Sequence, residues 1–207
     1  MTSSMSFLDA VKNRRTIYTL NKELPIGDDR IEELVKLSVH DSARLVVLLK
    51  KEYETFWDFT TEILKAIVPE DQWSHTEQRI KGLRAAYGRI RISCTPPCIL
   101  FFEDPNPTKE LQCKFPTYAH HFPTWSEHTS AMHQYMLWTA LEAEGCGCNL
   151  QHYHPIVDQK VKGHWNINME WNLRVQLVFG GVPEGARDKL PEKTNLPLEE
   201  RMIIHGK

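Results

Sequence analysis

Six histidines and two cysteines cluster in the middle of the chain, where residues of these types could bind zinc. They are His120, His121, His128, His133, His152, His154, Cys146 and Cys148. A structural zinc site commonly takes its ligands as two closely spaced pairs. The Cys-x-Cys and His-x-His spacings differ from that pattern, and His128 and His133, five residues apart, do not share one helical face. We therefore predict no metal site.

Cys146 and Cys148 could instead act as nucleophiles, because a deprotonated thiol is reactive. They follow the predicted C-terminal end of a helix, however, whereas the dipole that lowers a thiol pKa lies at an N-terminus. Five cysteines at irregular positions, with no apolar signal-peptide core at the start of the chain, are typical of free thiols in a reducing compartment. We therefore predict a cytoplasmic protein, with the nucleus as the alternative, and no catalytic thiol.

Carboxylates and glycines add no further site. The pairs Glu142/Glu144 and Glu199/Glu200 are typical of solvated charges on a helix and on a tail. Phosphate-binding glycine loops precede a helix, whereas Gly145 and Gly147 follow one.

The basic sequence Arg14-Arg15-Thr16 is a candidate anion site. Two guanidinium groups followed by a hydroxyl can bind a phosphate through several charge-assisted hydrogen bonds. The alternative is structural, since basic residues commonly end a helix and complement its dipole. The local sequence favours the structural interpretation and leaves the phosphate site open.

Residues 125–155 combine a helix with a polar exit. Apolar residues lie on most faces of the predicted helix, which ends at Gly145, and such a helix is expected inside a core. Asn149-Leu150-Gln151-His152-Tyr153 follows as a predicted polar and aromatic loop. Loops at the end of a buried helix commonly carry ligand contacts. The sequence therefore places a binding site at this loop.

The composition limits the class of protein. The chain has 207 residues, 41% of them hydrophobic, and a formal net charge of -2. This charge favours neither nucleic acid nor an anionic membrane as a partner. No apolar run approaches the roughly 20 residues of a membrane span. We predict one domain over residues 1–207, in which residues 190–207 form an extended tail.

Helical and strand patterns alternate along the chain. Apolar spacing predicts helices near residues 6–15, 29–37, 52–68, 71–87, 108–115, 125–145 and 155–165. Apolar runs predict strands at residues 44–49, 98–102 and 173–179, and the basic, proline-closed residues 88–97 predict a surface loop. Helices that outnumber three or four strands indicate an α+β domain.

Several motifs, taken together and in order, resemble the nitroreductase family and more closely its fungal nitroreductase-like branch. They are Arg14-Arg15-Thr16-Ile17-Tyr18 and residues 101–104 (FFED), 122–126 (FPTWS), 138–145 (WTALEAEG), 149–153 (NLQHY) and 197–201 (PLEER). The resemblance runs from about residue 6 to residue 204. It implies a nitroreductase-like α+β fold, with a central, mainly antiparallel sheet flanked by helices.

The resemblance also implies a homodimer that binds FMN at the dimer interface, with the tail at residues 190–207 wrapped around the partner subunit. NAD(P)H would reduce the flavin, which would then reduce a small-molecule electron acceptor such as a nitroaromatic or a quinone in a ping-pong cycle. Because the flavin carries this chemistry, the resemblance implies no catalytic side chain.

Seven residues match FMN-binding positions of the family. Arg14, Arg15 and Thr16 match its motif for the phosphate and ribityl chain, and Lys193 falls where the family places a phosphate-contacting cation. Leu150, Gln151 and His152 match the segment whose backbone faces the isoalloxazine ring. The resemblance therefore favours the phosphate interpretation of the two arginines over the helix-end interpretation.

Two departures from the family pattern affect this expectation. The branch carries an Asn and a Gln that hydrogen-bond the flavin after its second helix, but here only residues 40–44 (HDSAR) stand in that place. Residues 89–97 are extra chain relative to the family pattern. Misplaced exon junctions in the gene would explain both the shortened and the extra segment. Sequencing the transcript across the two junctions tests this explanation. If the chain is genuine, loss of two hydrogen bonds weakens FMN binding by roughly ten- to a hundredfold. The alternative is a non-catalytic, regulatory dimer of the same fold.

Overall fold

The computed structural model describes residues 5–21, 23–38, 41–85 and 97–206. This part of the chain contains seven α-helices and a four-stranded sheet. The helices are α1 (Phe7–Asn13), α2 (Asp28–Ser38), α3 (Lys51–Ile67), α4 (Glu70–Ala85), α5 (Pro105–Lys114), α6 (Phe122–Ala143) and α7 (Asp158–His164). Short 3-10 helices span Pro116–His121 and Leu198–Glu200.

Capping explains where two of the helices begin. Ser6 caps α1, because its hydroxyl accepts a hydrogen bond from the Asp9 amide at 3.2 Å. Asp104 caps α5 by accepting from the Asn106 amide at 3.0 Å, so α5 begins at Pro105 rather than near residue 108. Helix α7 begins at Asp158 rather than at residue 155, because residues 154–157 form a turn.

The four strands form one antiparallel sheet in the order β1-β2-β4-β3. They are β1 (Ala43–Leu48), β2 (Cys98–Glu103), β3 (Gly147–Gln151) and β4 (Asn172–Gly180). Strand β3 corrects the prediction of a loop at residues 149–153, since Asn149 pairs with Val178 and Gln151 with Gln176. The α+β class and the antiparallel sheet flanked by helices are confirmed.

Each face of the sheet carries its own apolar cluster. On one face, Tyr53, Phe56 and Trp57 of α3 are fully buried and pack edge-to-face with one another and with Tyr153. On the other face, Leu137, Trp138 and Leu141 of α6 pack with residues of α2 and of the sheet. We call these the α3 face and the α6 face.

Helix α6 does not lie wholly inside the core, contrary to the prediction from its apolar pattern. Its outer side exposes 64% of Met132, 41% of Tyr135 and 36% of Met136. Helix α1 packs beside α6 and exposes Phe7 and Leu8. The described protomer therefore carries an apolar surface formed by these five residues, which we call the α1–α6 surface.

The segment after α1 is attached to the far end of β4. Asn21 and Gly181 exchange two backbone hydrogen bonds, of 2.8 Å and 3.1 Å, in an antiparallel bridge. A Cβ atom on Gly181 would lie 2.1 Å from the Glu23 carbonyl oxygen, which no real contact permits. Only glycine allows this close approach of the two segments.

The C-terminal tail is extended for most of its length. Residues 191–197 lack regular secondary structure, and Leu196, Leu198, Met202, Ile203 and Ile204 are exposed. The predicted wrapping of this tail around a partner subunit stays a prediction.

Two sequence predictions fall largely outside the described residues. Of the predicted surface loop and extra segment, only Pro97 is described, and it is buried next to β2. His40 is also outside, whereas Asp41 to Arg44 lie within the described part. In the described ranges, no helix is both long and apolar enough to cross a bilayer.

Candidate functional site

Arg14 lies on α6 rather than free in solvent. Its guanidinium carbon is 4.5 Å from the centre of the Trp138 ring and 5.2 Å from that of Tyr135, distances typical of cation–π contacts. Its Nε atom is buried, and no described group accepts a hydrogen bond from it. Arg14 is the C-cap residue of α1, where its backbone N–H donates to the Ala10 carbonyl, and its side chain keeps an unused donor at Nε.

Arg15 and Lys193 come together although they are far apart in the sequence. Arg15 donates from Nη2 to the Pro191 carbonyl at 2.8 Å, and the Lys193 ammonium donates to the Lys12 carbonyl. Partial desolvation lowers the pKa of Lys193, and the nearby Arg15 and Arg14 charges lower it further. The start of the tail thus completes a group of cations whose other members follow α1.

A buried carboxylate lies beside these cations and corrects one prediction. Glu142 is fully buried rather than solvated, and Nη1 of Arg187 lies 2.7 Å from its Oε1. Glu144 is also not a free solvated charge, because Arg30 Nε donates to it at 2.9 Å. An isolated buried carboxylate is costly, so Arg187 and the other nearby cations compensate it.

No local sequence signal identifies Arg187, which lies in an irregular segment after β4. Glu142 could have been recognised, because it occupies the same helical face as Tyr135 and Trp138 in a predicted buried helix. A charged residue at such a position requires a buried partner.

The second half of the site lies on β3. Thr16 forms a parallel bridge with Cys148, and the Ile17 amide donates to the Cys148 carbonyl at 3.0 Å. The fully buried Asn149 donates from Nδ2 to the Ile17 carbonyl at 3.0 Å and accepts from Gln151 Nε2 at 2.7 Å. The sequence interpretation assigned no role to Asn149, although it occurs in the NLQHY motif.

The parallel pairing sets the direction of the site. Arg14 and Arg15 precede Thr16 and so lie towards the start of β3, while Leu150, Gln151 and His152 lie at its other end. Leu150 is partly buried against the α6 face, and His152 is exposed. Four residues of extended chain from Cys148 to His152 span roughly 13 Å. The seven predicted residues therefore form an elongated arrangement with cations at one end.

The cysteines of this region are unsuited to nucleophilic chemistry. Burial and the nearby Glu144 and Glu142 charges raise the pKa of Cys146 to about 12. Burial likewise raises the pKa of Cys148 well above its ordinary value. Across the described ranges, no three His, Cys, Asp or Glu side chains form a group that could hold a metal ion.

The shortened segment is engaged within its own protomer. Ser42 donates to the buried Glu103 carboxylate at 2.7 Å. Arg44 forms a 2.9 Å ion pair with Asp104 and lies over the Trp171 ring. Neither side chain supplies the carboxamide group that the family branch carries there.

The donor set fits a phosphate with an attached planar group. Arg14, Arg15 and Lys193 offer charged N–H donors, and the buried Nε of Arg14 has no acceptor among the described residues. Thr16 pairs with Cys148 of β3, and the strand continues from there to Gln151. Such a site matches the chemistry of an FMN molecule.

Comparison with known proteins shows the family to which the chain belongs. No family model matches the chain. Nitroreductase FRM2 of Saccharomyces cerevisiae is 32% identical over 204 residues, which cover 93% of this chain and 94% of the relative. Nitroreductase CinD from Lactococcus lactis, solved with 4-nitrophenol, is 34% identical with a TM-score of 0.78 and covers 97% of this chain and 100% of its own.

CinD has also been solved in complex with chloramphenicol. The FMN-dependent nitroreductase NfnB from Mycobacterium smegmatis, solved with NADPH, is 11% identical with a TM-score of 0.68, covering 96% of this chain and 97% of its own. At that identity the similarity shows the fold alone. From its similarity to FRM2 and CinD, the chain belongs to the nitroreductase family of oxidoreductases.

Proposed function

We propose that this protein is an FMN-dependent NAD(P)H oxidoreductase that reduces nitroaromatic, quinone or related acceptors. The observation that carries the proposal is the meeting of Arg14, Arg15 and Lys193 beside β3 in a chain of the nitroreductase family. These cations come from opposite ends of the sequence, and their mutual repulsion is offset when an anion binds between them.

Each predicted residue has a role in holding the cofactor. Arg14, Arg15 and Lys193 bind the phosphate, and Thr16 contacts the ribityl chain. The β3 end at Leu150, Gln151 and His152 presents backbone to the isoalloxazine ring. The stacking of Arg14 on Trp138 and the bond from Arg15 to Pro191 fix both guanidinium groups before the cofactor arrives, which lowers the entropy lost on binding.

When bound, FMN supplies the transfer of reducing equivalents from NAD(P)H to the acceptor. The chain binds and orients the cofactor, and no side chain is assigned as a catalytic acid. The aromatic ligands of CinD, 4-nitrophenol and chloramphenicol, support a small aromatic acceptor.

The proposal includes a homodimer. The α1–α6 surface exposes five large apolar side chains, and the tail exposes five more beyond residue 195. A second copy of the chain would cover the first set, and the tail at residues 190–207 would wrap around that copy. Burial of such surface stabilises the pair by about 25 cal/mol per Å².

The direct test is spectroscopic and enzymatic. The purified protein is expected to be yellow, to absorb in the flavin band, and to oxidise NAD(P)H when a nitroaromatic or quinone is present. The double variant Arg15→Ala/Lys193→Ala should lose the colour, whereas Arg201→Ala, an exposed cation outside the site, should keep it. A wild-type protein that stays colourless after incubation with FMN contradicts the proposal.

A second candidate function rests on the shortened segment. Residues 40–44 (HDSAR) include no Asn or Gln, so they offer the flavin ring no carboxamide. Ser42 and Arg44 instead bind Glu103 and Asp104. This favours a non-catalytic dimer of the same fold that binds FMN weakly. A colourless dimer whose melting temperature FMN does not raise supports this candidate over the enzyme.

Lys193 should make the affinity for FMN depend on pH. Its pKa is lowered, so Lys193 loses its charge at a lower pH than an ordinary lysine. Phosphate binding favours the charged form, so FMN affinity should be full below this pKa and fall as the pH rises through it. Titrations between about pH 7 and 10.5 measure this decline.

Lys193→Arg is the matched variant for this pH dependence, because a guanidinium stays charged over the whole range. Its FMN affinity should remain level where that of the wild type falls. Equal declines in both proteins exclude Lys193 as the group responsible.

A further inference from the structure

Asn149 connects the two segments that the proposed cofactor site requires. Its Nδ2 donates to the carbonyl of Ile17, which directly follows the Arg14-Arg15-Thr16 motif, at 3.0 Å. Its Oδ1 accepts from Gln151, which belongs to the ring-facing end of β3, at 2.7 Å. One fully buried carboxamide thus contacts both segments, which are separated by 132 residues in the sequence.

Without the Asn149 side chain, backbone pairing alone would hold the segment ending at Ile17 less firmly against β3. The backbone contacts between them are the parallel bridge of Thr16 with Cys148 and the hydrogen bond from the Ile17 amide to the Cys148 carbonyl. An isolated bridge constrains position at one point, so the segment can still turn about it. The Asn149 bond adds a second point, on the other polar group of the same residue, Ile17.

Because Asn149 is buried, the loss of either of its hydrogen bonds would cost free energy of folding. Both ends of the carboxamide are satisfied, and a buried polar group without a partner costs about 1–3 kcal/mol. The side chain is therefore held in one orientation, with its amide towards Ile17 and its carbonyl towards Gln151. Strand β4 covers the same region, since Asn149 pairs with Val178.

We propose that Asn149 is a positioning residue that fixes the spacing between the phosphate-binding motif and the ring-binding end of β3. The inference rests on the proposed function, because it assumes that one ligand contacts both segments. A ligand that spans two segments gains from both only when their spacing is fixed, whereas a ligand of one segment is indifferent to it. Lumiflavin, which is the isoalloxazine ring of FMN without its ribityl chain and phosphate, is that second kind of ligand.

The experiment measures the ratio of FMN affinity to lumiflavin affinity by quenching of flavin fluorescence. In Asn149→Ala the ratio should fall by roughly three- to tenfold, the effect of one buried hydrogen bond. Asn149→Leu, which fills the same volume without a polar group, keeps the test valid if the alanine variant does not fold. Cys148→Ala is the matched control, a buried neighbour in β3 whose side chain makes neither bond, and its ratio should equal that of the wild type.

The outcomes separate the inference from the proposed function. If Asn149 only stabilises the protein, both affinities change by the same factor, and an unchanged ratio in a folded Asn149 variant overturns the inference alone. A wild-type protein that binds neither flavin, or binds both equally, overturns the proposed cofactor site and the inference with it. A ratio that falls equally in Cys148→Ala also overturns the inference, because any change in β3 would then suffice.

Discussion

The two faces of the sheet are both covered by apolar helices, but only one of them is closed within the protomer. On the α3 face, Tyr53, Phe56 and Trp57 are fully buried, and Trp165 of the neighbouring loop donates to Glu52 of α3 at 2.8 Å. On the α6 face, the inner side of α6 is buried while its outer side exposes Met132 and Tyr135. The apolar side chains of α3 named above are therefore buried within the protomer, whereas α6 also carries apolar side chains that this protomer leaves exposed.

The two faces also differ in where charge is buried. The α6 face contains the fully buried Glu142 with Arg187, next to the cations of the candidate site. The large buried side chains of α3 are aromatic and uncharged. Helix α3 thus covers its face with uncharged aromatic side chains, whereas the α6 face combines apolar packing with a buried ion pair.

The largest expected effect is the loss of Trp57 from the closed face. Trp57→Ala should lower the free energy of unfolding by about 3–5 kcal/mol, because it leaves a cavity in a fully packed cluster. Urea denaturation at one fixed protein concentration measures this loss. Trp125→Ala, which removes a half-exposed ring, should cost far less; equal losses in the two variants would contradict the division between the faces.

The next effect concerns the buried charge on the α6 face. Arg187→Ala should lower the free energy of unfolding by about 3 kcal/mol, because the buried Glu142 carboxylate loses its ion-pair partner. Adding Glu142→Gln should recover part of that loss, since the buried charge is then gone. If the double variant is as unstable as the sum of the two single variants, the two side chains do not interact.

A smaller effect on protomer stability, with a change of assembly, is expected at the α1–α6 surface. Met132→Asp places a charge where a second copy would pack, so the protein should elute as a monomer in size-exclusion chromatography. Its effect on protomer stability should stay within about 0.5 kcal/mol. Met169→Asp is the matched control, since Met169 is 60% exposed against 64% for Met132 and precedes β4. A dimer that survives Met132→Asp argues against this surface.

The smallest expected effect is on the reactivity of the cysteines in the native state, which is measured by counting labelled thiols. Cys113 is exposed, whereas Cys98, Cys146 and Cys148 are buried, and burial raises the pKa of each of these three. In a Cys94→Ser background, a thiol reagent near pH 8 should label one cysteine rapidly and the other three only after unfolding. Rapid labelling of three or four would show that the α6 face opens readily.

The helices and three of the strands follow from local patterns, because burial of one side of an element leaves a regular apolar period in the sequence. Helix α3 and strand β4 agree with their predicted positions within two residues. Strand β3 was missed, since its polar Asn149 and Gln151 interrupt the apolar pattern of a strand, and the partner that lets Asn149 be buried, Ile17, is 132 residues away. The exposed side of α6 was missed for a different reason. An apolar residue gives the same sequence pattern whether its own chain or another chain buries it.

The candidate site, like the fold, could be predicted from the sequence only in part. The motif at residues 14–16 could be recognised as basic, but its stacking on α6 depends on the fold. Arg187 and Glu142 form a pair across 45 residues, and neither side chain indicates its partner. Local sequence identifies residues that could bind an anion, whereas the compensation of their charge arises only from tertiary contacts.

The bridge between Asn21 and Gly181 has a consequence for the order of events during synthesis. Residues 14–21 leave the ribosome early, yet Thr16 and Ile17 pair with β3 and Asn21 pairs with a residue just beyond β4, so most of the chain must be made before these contacts can form. Until then this basic segment has no strand to dock on, and contacts across such long separations form late. The basic residues at positions 14 and 15, among the first to be translated, are thus among the last to reach their final place.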